Sequence, residues 1–334
     1  MNRLKLKNRF DGSLIYGARD FQEKTGRLRG NTNAPFGQRI FEKYGDNKTG
    51  FIKKEFLEYR HCLCLKDKSV ELFTKHGLTY HLCAECDYIY VNPILREKIL
   101  MEFYFKEETW YNVLQNDIQQ EMDELKFSYG LDLIENHINN GSLLDVGSGT
   151  GHFISIASKR GWECLGIEFN KKVVEDSIKN ELQVVDEELG SNFFDNKEFK
   201  LITMWEVLEH LKDPRLIVQR CNQLLSPNGL LFILVPNTDS LLNRILHEKS
   251  GSFTPHCHIS MFNPRSLKNL LMEENFDILE CETLMSELNN IKNHLSYQSA
   301  YSGETLKDFD FLTPQFLHDN LLGCKLLMIA RKVL

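Results

Sequence analysis

No apolar run in this chain is long enough to cross a membrane. The longest, Gly229–Val235, falls far short of the roughly 20 residues a spanning helix needs. Glycine (20) and proline (8) are too sparse in 334 residues for a collagen-like or linker-dominated chain, and no internal repeat or low-complexity tract is present. The first ten residues, MNRLKLKNRF, lack the apolar stretch of a secretory signal. A soluble, cytoplasmic protein with no membrane contact is therefore expected. Positive charge is also scarce beyond the start of the chain. Residues 1–60 hold 14 Lys/Arg against 7 Asp/Glu, whereas residues 61–334 hold 26 against 40. An acidic body argues against a nucleic-acid enzyme, whose binding face should be basic. The basic lead reads as a solvated extension or as a dock for an anionic partner.

Cysteine is present, but in an odd number, nine, which does not suit a secreted disulfide scaffold. Four cysteines fall within 25 residues: Cys62, Cys64, Cys83 and Cys86. The other five, Cys164, Cys221, Cys257, Cys281 and Cys324, are scattered. Clustering of this kind points to metal. Cys83-Ala-Glu-Cys86 has knuckle spacing, whereas Cys62-Leu-Cys64 is one residue short of it. His61 would restore that spacing, so the fourth ligand is Cys62 or His61. Four protein ligands make a closed structural zinc site rather than a catalytic one.

The pattern of the remainder is that of an α/β protein. Val70–Lys75 and Leu78–Leu82 read as strands joined by a tight turn at His76-Gly77, with a third strand at Tyr88–Val91. Pro93 to about Asn140 is helical. There Ile118, Met122, Leu125, Tyr129, Leu133 and His137 recur at three- or four-residue steps, which predicts the apolar face. From Leu143 on, strands and helices alternate, which implies a mostly parallel sheet with helices on both faces. Asn237–Met261 reads as mostly loop. Asn263 and Pro264 open a helix as its N-cap and first residue. Phe276–Thr283 is a strand and Leu326–Arg331 an edge-type last strand. Between them Leu284–Leu322 is an insert, whose Tyr297, Tyr301, Phe309, Phe311 and Phe316 serve as a lid or as packing.

The most informative stretch is Leu143-Leu-Asp-Val-Gly-Ser-Gly-Thr-Gly151. A strand enters a loop that needs glycine to turn sharply and to let a ligand approach the backbone. Asp145, just ahead of the loop, suits a ligand with a cationic amino-acid end. Glu168 ends the next strand, 17 residues after Gly151. A carboxylate there accepts from both hydroxyls of an adenosine ribose.

LLDVGSGTG followed by LGIEFN resembles the class I S-adenosylmethionine-dependent methyltransferases. So do Trp205-Glu-Val-Leu-Glu-His210 and Leu224-Leu-Ser-Pro-Asn-Gly-Leu-Leu231, across residues 120–334. The resemblance implies a Rossmann-like seven-stranded sheet and S-adenosyl-L-methionine as cofactor. It implies that Asp145, Gly147, Ser148, Gly149 and Gly151 hold the methionine part and that Glu168 holds the ribose. The acidic stretch 186–189, with Glu188, is placed near the adenine, and Met204, Trp205 and Glu206 line the pocket.

Cys86-Asp-Tyr-Ile-Tyr-Val-Asn-Pro93, followed by Phe103-Tyr104, resembles the zinc-ribbon lead of a subfamily found in sugar, polysaccharide and natural-product pathways. That resemblance implies zinc on Cys62, Cys64, Cys83 and Cys86. The expected organisation is a basic extension (1–55), a zinc-ribbon and helical lead (56–140) and a methyltransferase domain (141–334).

The expected reaction is methyl transfer to a small-molecule acceptor, a hydroxyl or carbon of a sugar or glycan precursor. Histidine suits removal of the acceptor proton. His258 occupies the place of a proposed base in similar ketosugar C-methyltransferases, although Cys257 stands where relatives often carry Glu. His210 follows the fourth strand, where ligands sit in open parallel sheets. Three other readings are carried. In the first, Glu206, Glu209 and His210 hold a divalent cation, as in ubiquinone-type O-methyltransferases. In the second, the basic arm docks a protein or RNA acceptor. In the third, the chain binds cofactor without catalysis. Oligomeric state is not legible.

Overall fold

The computed structural model describes residues 10–14, 36–106, 116–295 and 310–333. Most of the basic extension, the side chains of Phe103 and Tyr104, and Tyr297, Tyr301 and Phe309 lie outside the described residues.

Helix α1 (Phe36–Tyr44) precedes a hairpin of β1 (Ser69–Lys75) and β2 (Leu78–Cys83), to which β3 (Ile89–Val91) adds antiparallel. His76 and Gly77 both take positive φ, +51° and +76°. Such a two-residue turn matches the right-handed twist of the flanking strands. Helices α2 (Glu97–Lys106) and α3 (Asp117–Glu135) lead into the central sheet.

That sheet alternates β4 (Ser142–Val146), α4 (His152–Lys159), β5 (Glu163–Ile167), α5 (Lys171–Lys179), β6 (Val184–Val185), β7 (Phe199–Trp205), α6 (Pro214–Leu224) and β8 (Leu225–Pro236). After α7 (Leu241–Leu246), β9 (Ser260–Met261) and α8 (Pro264–Glu273) come β10 (Phe276–Leu284), α9 (Leu288–Leu295), α10 (Pro314–Asp319) and β11 (Lys325–Lys332). Its seven strands lie in the order β6-β5-β4-β7-β8-β11-β10. Strands β4 to β8 pair in parallel, and β11 runs antiparallel to both neighbours. The order reverses between β4 and β7, and in open α/β sheets that crevice is where ligands bind.

Buried parallel strands read as continuous apolar runs because both faces are covered. Ile202, Met204, Leu231 and Ile233 pack under α6 and α8, with Val218, Leu224, Leu267 and Leu271. Their neighbours Leu201, Phe232 and Leu234 pack under α3 and α4, with Phe127, Leu131, Phe153 and Ala157. No helix among the described residues is long and apolar enough to cross a membrane.

Two expectations need correction. The last strand is not an edge. β11 lies between β8 and β10, and Leu326–Ala330 is fully buried, so its unbroken apolar run marks an interior strand. The stretch Asn237–Met261 is loop for the most part, with the short helix α7 capped by Ser240. The inward face of α3 is also different. Leu125 is exposed, while Gln119, Asp123 and Lys126 are buried beside Met122, Phe127 and Ile134. The Lys126 ammonium lies 2.7 Å from the Asp123 carboxylate, and Gln119 donates to the same carboxylate at 2.8 Å. Paired polar groups on the inward face disguise its periodicity.

The cysteine segment is joined to the main domain by β9, which pairs with β3 at Ser260–Tyr90 and Met261–Ile89. Arg60 donates to the Ile259 carbonyl and to Ser260 Oγ, and Val91 N–H donates to the Ile259 carbonyl. The Tyr80 hydroxyl donates to the His258 carbonyl at 2.9 Å. The ribbon-like sheet thus fixes the loop that carries His258.

Candidate active site

Asp145 is the penultimate residue of β4 and is buried. Its Oδ1 accepts from the Thr203 hydroxyl at 2.6 Å, across to β7. Burial pushes its pKa up to about 7, against the Thr203 hydrogen bond that lowers it. Behind it the chain turns through Gly147, Gly149 and Gly151, at φ of +71°, +51° and +75°. At Gly147 a Cβ would also meet Val207 at 2.7 Å. Side chains are disfavoured there twice, by backbone and by space. Gly147 N–H and Ser148 N–H donate to the Ile167 carbonyl, which ties the loop to the end of β5.

Glu168 follows β5. Its Oε2 accepts from Gly149 N–H at 3.1 Å and its Oε1 from Asn170 N–H at 2.9 Å. Burial raises its pKa, against those backbone donors. The Phe169 backbone also bonds to this carboxylate, and its remaining acceptor capacity suits a ligand hydroxyl. Ser148 Oγ is buried with no hydrogen-bond partner. A buried acid, a glycine cradle, an orphaned hydroxyl and a terminal carboxylate are thus gathered at one end of adjacent strands.

The other expected cofactor residues are placed differently. Trp205 packs its ring 4.2 Å from Phe232 and among Phe127 and Phe153, against Gly130. Glu206, at a positive φ of 58°, ion-pairs with Lys325 and, at 3.5 Å, with Lys126. Glu188 is exposed. Left-handed backbone at a non-glycine residue is strained, and such residues gather at functional sites.

The turn after β7 and the loop before β9 bring His210 and His258 together, with ring centroids 4.9 Å apart. Burial lowers the pKa of His210 to about 4 and that of His258 to about 3. Both are neutral imidazoles at physiological pH. His258 Nδ1 donates to the Ser252 carbonyl at 2.8 Å, and His210 Nδ1 to the Cys257 carbonyl at 3.0 Å. Next to His210, burial pushes the Glu209 carboxyl up to about 8.

The four clustered cysteines converge. Their Sγ atoms stand 3.4 Å (Cys62–Cys86), 3.6 Å (Cys62–Cys64) and 3.5 Å (Cys64–Cys83) apart, with no disulfide. A tetrahedron with metal–sulfur bonds of about 2.3 Å has edges of about 3.8 Å. His61 stands apart, exposed and bonded to Asp67 at 2.9 Å, so the converging set contains Cys62.

Sequence reasoning missed Thr203, Lys126 and Lys325. Thr203 is the one polar residue of Leu201–Trp205, which is itself a signal. The two lysines carry no local signal, because their partner Glu206 is distant in sequence.

Comparison with known proteins agrees with this geometry. Residues 118–281 match the family described as "Methyltransferase domain". An uncharacterized protein of Methanocaldococcus jannaschii is 21% identical over 170 residues, 51% of this chain and 81% of its own length. The ubiquinone biosynthesis O-methyltransferase of Pasteurella multocida is 29% identical over 165 residues, 44% of this chain and 65% of its own. That of Haemophilus ducreyi is 29% identical over 37% of this chain and 55% of its own length. The chain therefore spans less than two thirds of these two O-methyltransferases.

Among solved structures, the magnesium protoporphyrin IX methyltransferase of Synechocystis with bound SAH is similar at 13% identity and a TM-score of 0.49. It covers 71% of this chain and 100% of that one. A possible histamine N-methyltransferase of Thermotoga maritima gives 14% and 0.47, covering 70% and 100%. Residues 118–281 carry a methyltransferase domain, built on a Rossmann-like, mostly parallel sheet. S-adenosylmethionine, which this fold implies, fits the residues at the switch point: Asp145 for its cationic end, Glu168 for its ribose, and the glycine loop between them.

Binding should depend on pH through Asp145. Below about 7 this carboxyl is protonated, and pairing with the cationic end must expel the proton. Affinity for S-adenosylhomocysteine is expected to fall toward about tenfold for each pH unit below 7. Calorimetry between pH 8 and 6 checks it, and a flat profile would remove Asp145 from that role. The same raised pKa means that this group's contribution to stability declines as pH rises from the ordinary carboxylate range to about 7.

Proposed function

We propose that this chain moves a methyl group from S-adenosylmethionine to a hydroxyl of a small molecule, in the class of sugars and glycan precursors. The observation that carries the reading is the neutral His210–His258 pair at the carboxyl end of the sheet that also bears Asp145 and Glu168. Bound there, S-adenosylmethionine supplies an electrophilic methyl group. The chain supplies alignment and, through the histidine pair, removal of the acceptor's proton. The relatives named as ubiquinone biosynthesis O-methyltransferases support oxygen as the acceptor atom. The sugar class rests on the ribbon resemblance, with its zinc on Cys62, Cys64, Cys83 and Cys86. All nine cysteines are free, which supports a reducing, cytoplasmic setting.

The reading divides the chain into a lead of 56–140 and a catalytic domain of 141–334, with residues 1–55 ahead of them. Glu206, Glu209 and His210 do not form a cation triad in this reading, because Glu206 is engaged by Lys325 and Lys126.

The test is mass spectrometry of a panel of nucleotide-linked sugars and phenols incubated with enzyme and cofactor. A gain of about 14 mass units, one CH2 net, is expected on a sugar. Gain on phenols alone would move the reading to the ubiquinone-type class. His258→Ala should cut turnover by about 100-fold or more with S-adenosylhomocysteine affinity unchanged. Retained turnover would free His258 from that role.

A further inference from the structure

His258 stands at the end of an unbroken chain of hydrogen bonds that starts at the central sheet. Asn237 directly follows β8, and its N–H donates to the Cys324 carbonyl, just ahead of β11. Its Nδ2 donates to the carbonyls of Leu321 and Gly323, each at 2.8 Å, and its Oδ1 accepts from Asp239 N–H. Asn243, on α7, donates from Nδ2 to the Asn237 carbonyl at 2.8 Å. Asn243 Oδ1 accepts from the Ser250 hydroxyl, and Ser250 Oγ accepts from Ser252 N–H at 3.2 Å. The Ser252 carbonyl takes the last place, accepting from His258 Nδ1 at 2.8 Å.

Each link can run only one way. A carbonyl only accepts, so the Asn237 carbonyl takes the amide nitrogen of Asn243 and leaves the amide oxygen for Ser250. A backbone N–H only donates, so Ser250 Oγ accepts from Ser252 and gives its single proton to Asn243. The Ser252 carbonyl then requires the His258 proton on Nδ1, which puts the ring's lone pair on Nε2. The relay is buried: Asn237, Asn243 and Ser250 are 0%, 3% and 1% exposed. Buried polar chains of this kind are rigid when complete, and removing one member leaves its neighbours unpaired. The apolar residues of α7, Leu241, Leu242 and Ile245, pack with Leu288, Ile291 and Leu317. Asn243 is what ties this helix to the loop of His258.

We propose that Asn243 and Ser250 are positioning residues for His258, which fix its tautomer and ring orientation from the central sheet. The effect on turnover rests on the reading of His258 as base, whereas the tautomer is a property of the chain itself. An imidazole that takes an acceptor's proton must offer a lone pair, and Nε2 is the nitrogen that offers it here. The ribbon-like sheet holds the same loop through Lys75 Nζ on the Ser250 carbonyl at 3.0 Å and through Tyr80 on the His258 carbonyl. Those grips are on backbone, whereas the relay through Asn243 and Ser250 ends on the imidazole.

The test is nitrogen-15 NMR of the histidine side chains in the full chain, with the His258 signals assigned by their loss in His258→Gln. Wild type is expected to carry its proton on Nδ1 and none on Nε2. Ser250→Ala should move His258 to the other tautomer or to an exchanging mixture. It should also cut kcat on the nucleotide-linked sugar by about 10- to 100-fold, with KM and S-adenosylhomocysteine affinity unchanged. Ser250→Thr keeps the hydroxyl and should keep the wild-type tautomer and turnover. A wild-type His258 protonated on Nε2 would overturn the proposal, and that readout needs no variant. So would a tautomer unmoved in both Ser250→Ala and Asn243→Ala. The NMR readouts need no acceptor. A tautomer that moves while kcat stays at the wild-type level would leave the relay standing and refute His258 as base.

Discussion

Glu168→Ala is expected to weaken S-adenosylhomocysteine binding by about 100-fold or more. The carboxylate has two tasks that no other described residue shares. It accepts from Gly149 N–H and Asn170 N–H, which pins the glycine loop to the end of β5. On the cofactor reading, its remaining acceptor capacity would take the two ribose hydroxyls. Hydrogen bonds to a charged group contribute about 1.5–3 kcal/mol each, and each 1.4 kcal/mol is tenfold in affinity. Loss of two such bonds therefore exceeds 100-fold even at the low end. Glu168→Gln keeps one acceptor oxygen but puts an amide against a backbone donor, so it should fall between wild type and Ala. Calorimetry reads both. An Ala variant within a few fold of wild type would mean that the ribose is held elsewhere.

Cys83→Ser should remove turnover while leaving cofactor affinity nearly intact. Cys83 is fully buried at the end of β2, and its thiol belongs to the four-sulfur set. Structural zinc supplies about 10–16 kcal/mol of folding free energy in small zinc-binding peptides, more than a small sheet gains from its own core. Without metal, β1 to β3 should loosen. The consequence reaches the acceptor side because β3 pairs with β9, Arg60 holds Ile259 and Ser260, and Tyr80 holds the His258 carbonyl. The glycine loop and Glu168 have no comparable tie to the ribbon among the described residues. Hydrogen exchange should quicken at 259–261 and stay slow in β4 and β5. Metal-free chain with unchanged exchange and full turnover would refute the ribbon's structural role.

The parts of the site that were legible in sequence are those where local geometry restricts the residue. Gly147, Gly149 and Gly151 take positive φ, so their spacing survives as a pattern. Glu168 is found by its distance from that loop, because strand and helix lengths fix it. The four cysteines are legible because clustered thiols stand out in a sequence whatever the backbone does. What was hidden depends on contacts between distant segments. Lys126 and Lys325 lie roughly 200 residues apart and meet only at Glu206. The inward face of α3 was misread because Asp123 and Lys126, both buried, neutralise each other and look like surface residues in the sequence. The interior place of β11 is a matter of strand order, which its apolar run suggested only as burial. The two-residue strand β9, too short to show a period, joins the ribbon to the site loop.

The central claim is that Asp145, the glycine loop and Glu168 bind S-adenosylmethionine. Titration of the full chain with S-adenosylhomocysteine by calorimetry tests it most directly. One site per chain is expected, with binding lost in Glu168→Ala and weakened below pH 7. Absence of binding to the folded wild-type chain at neutral pH would contradict the account.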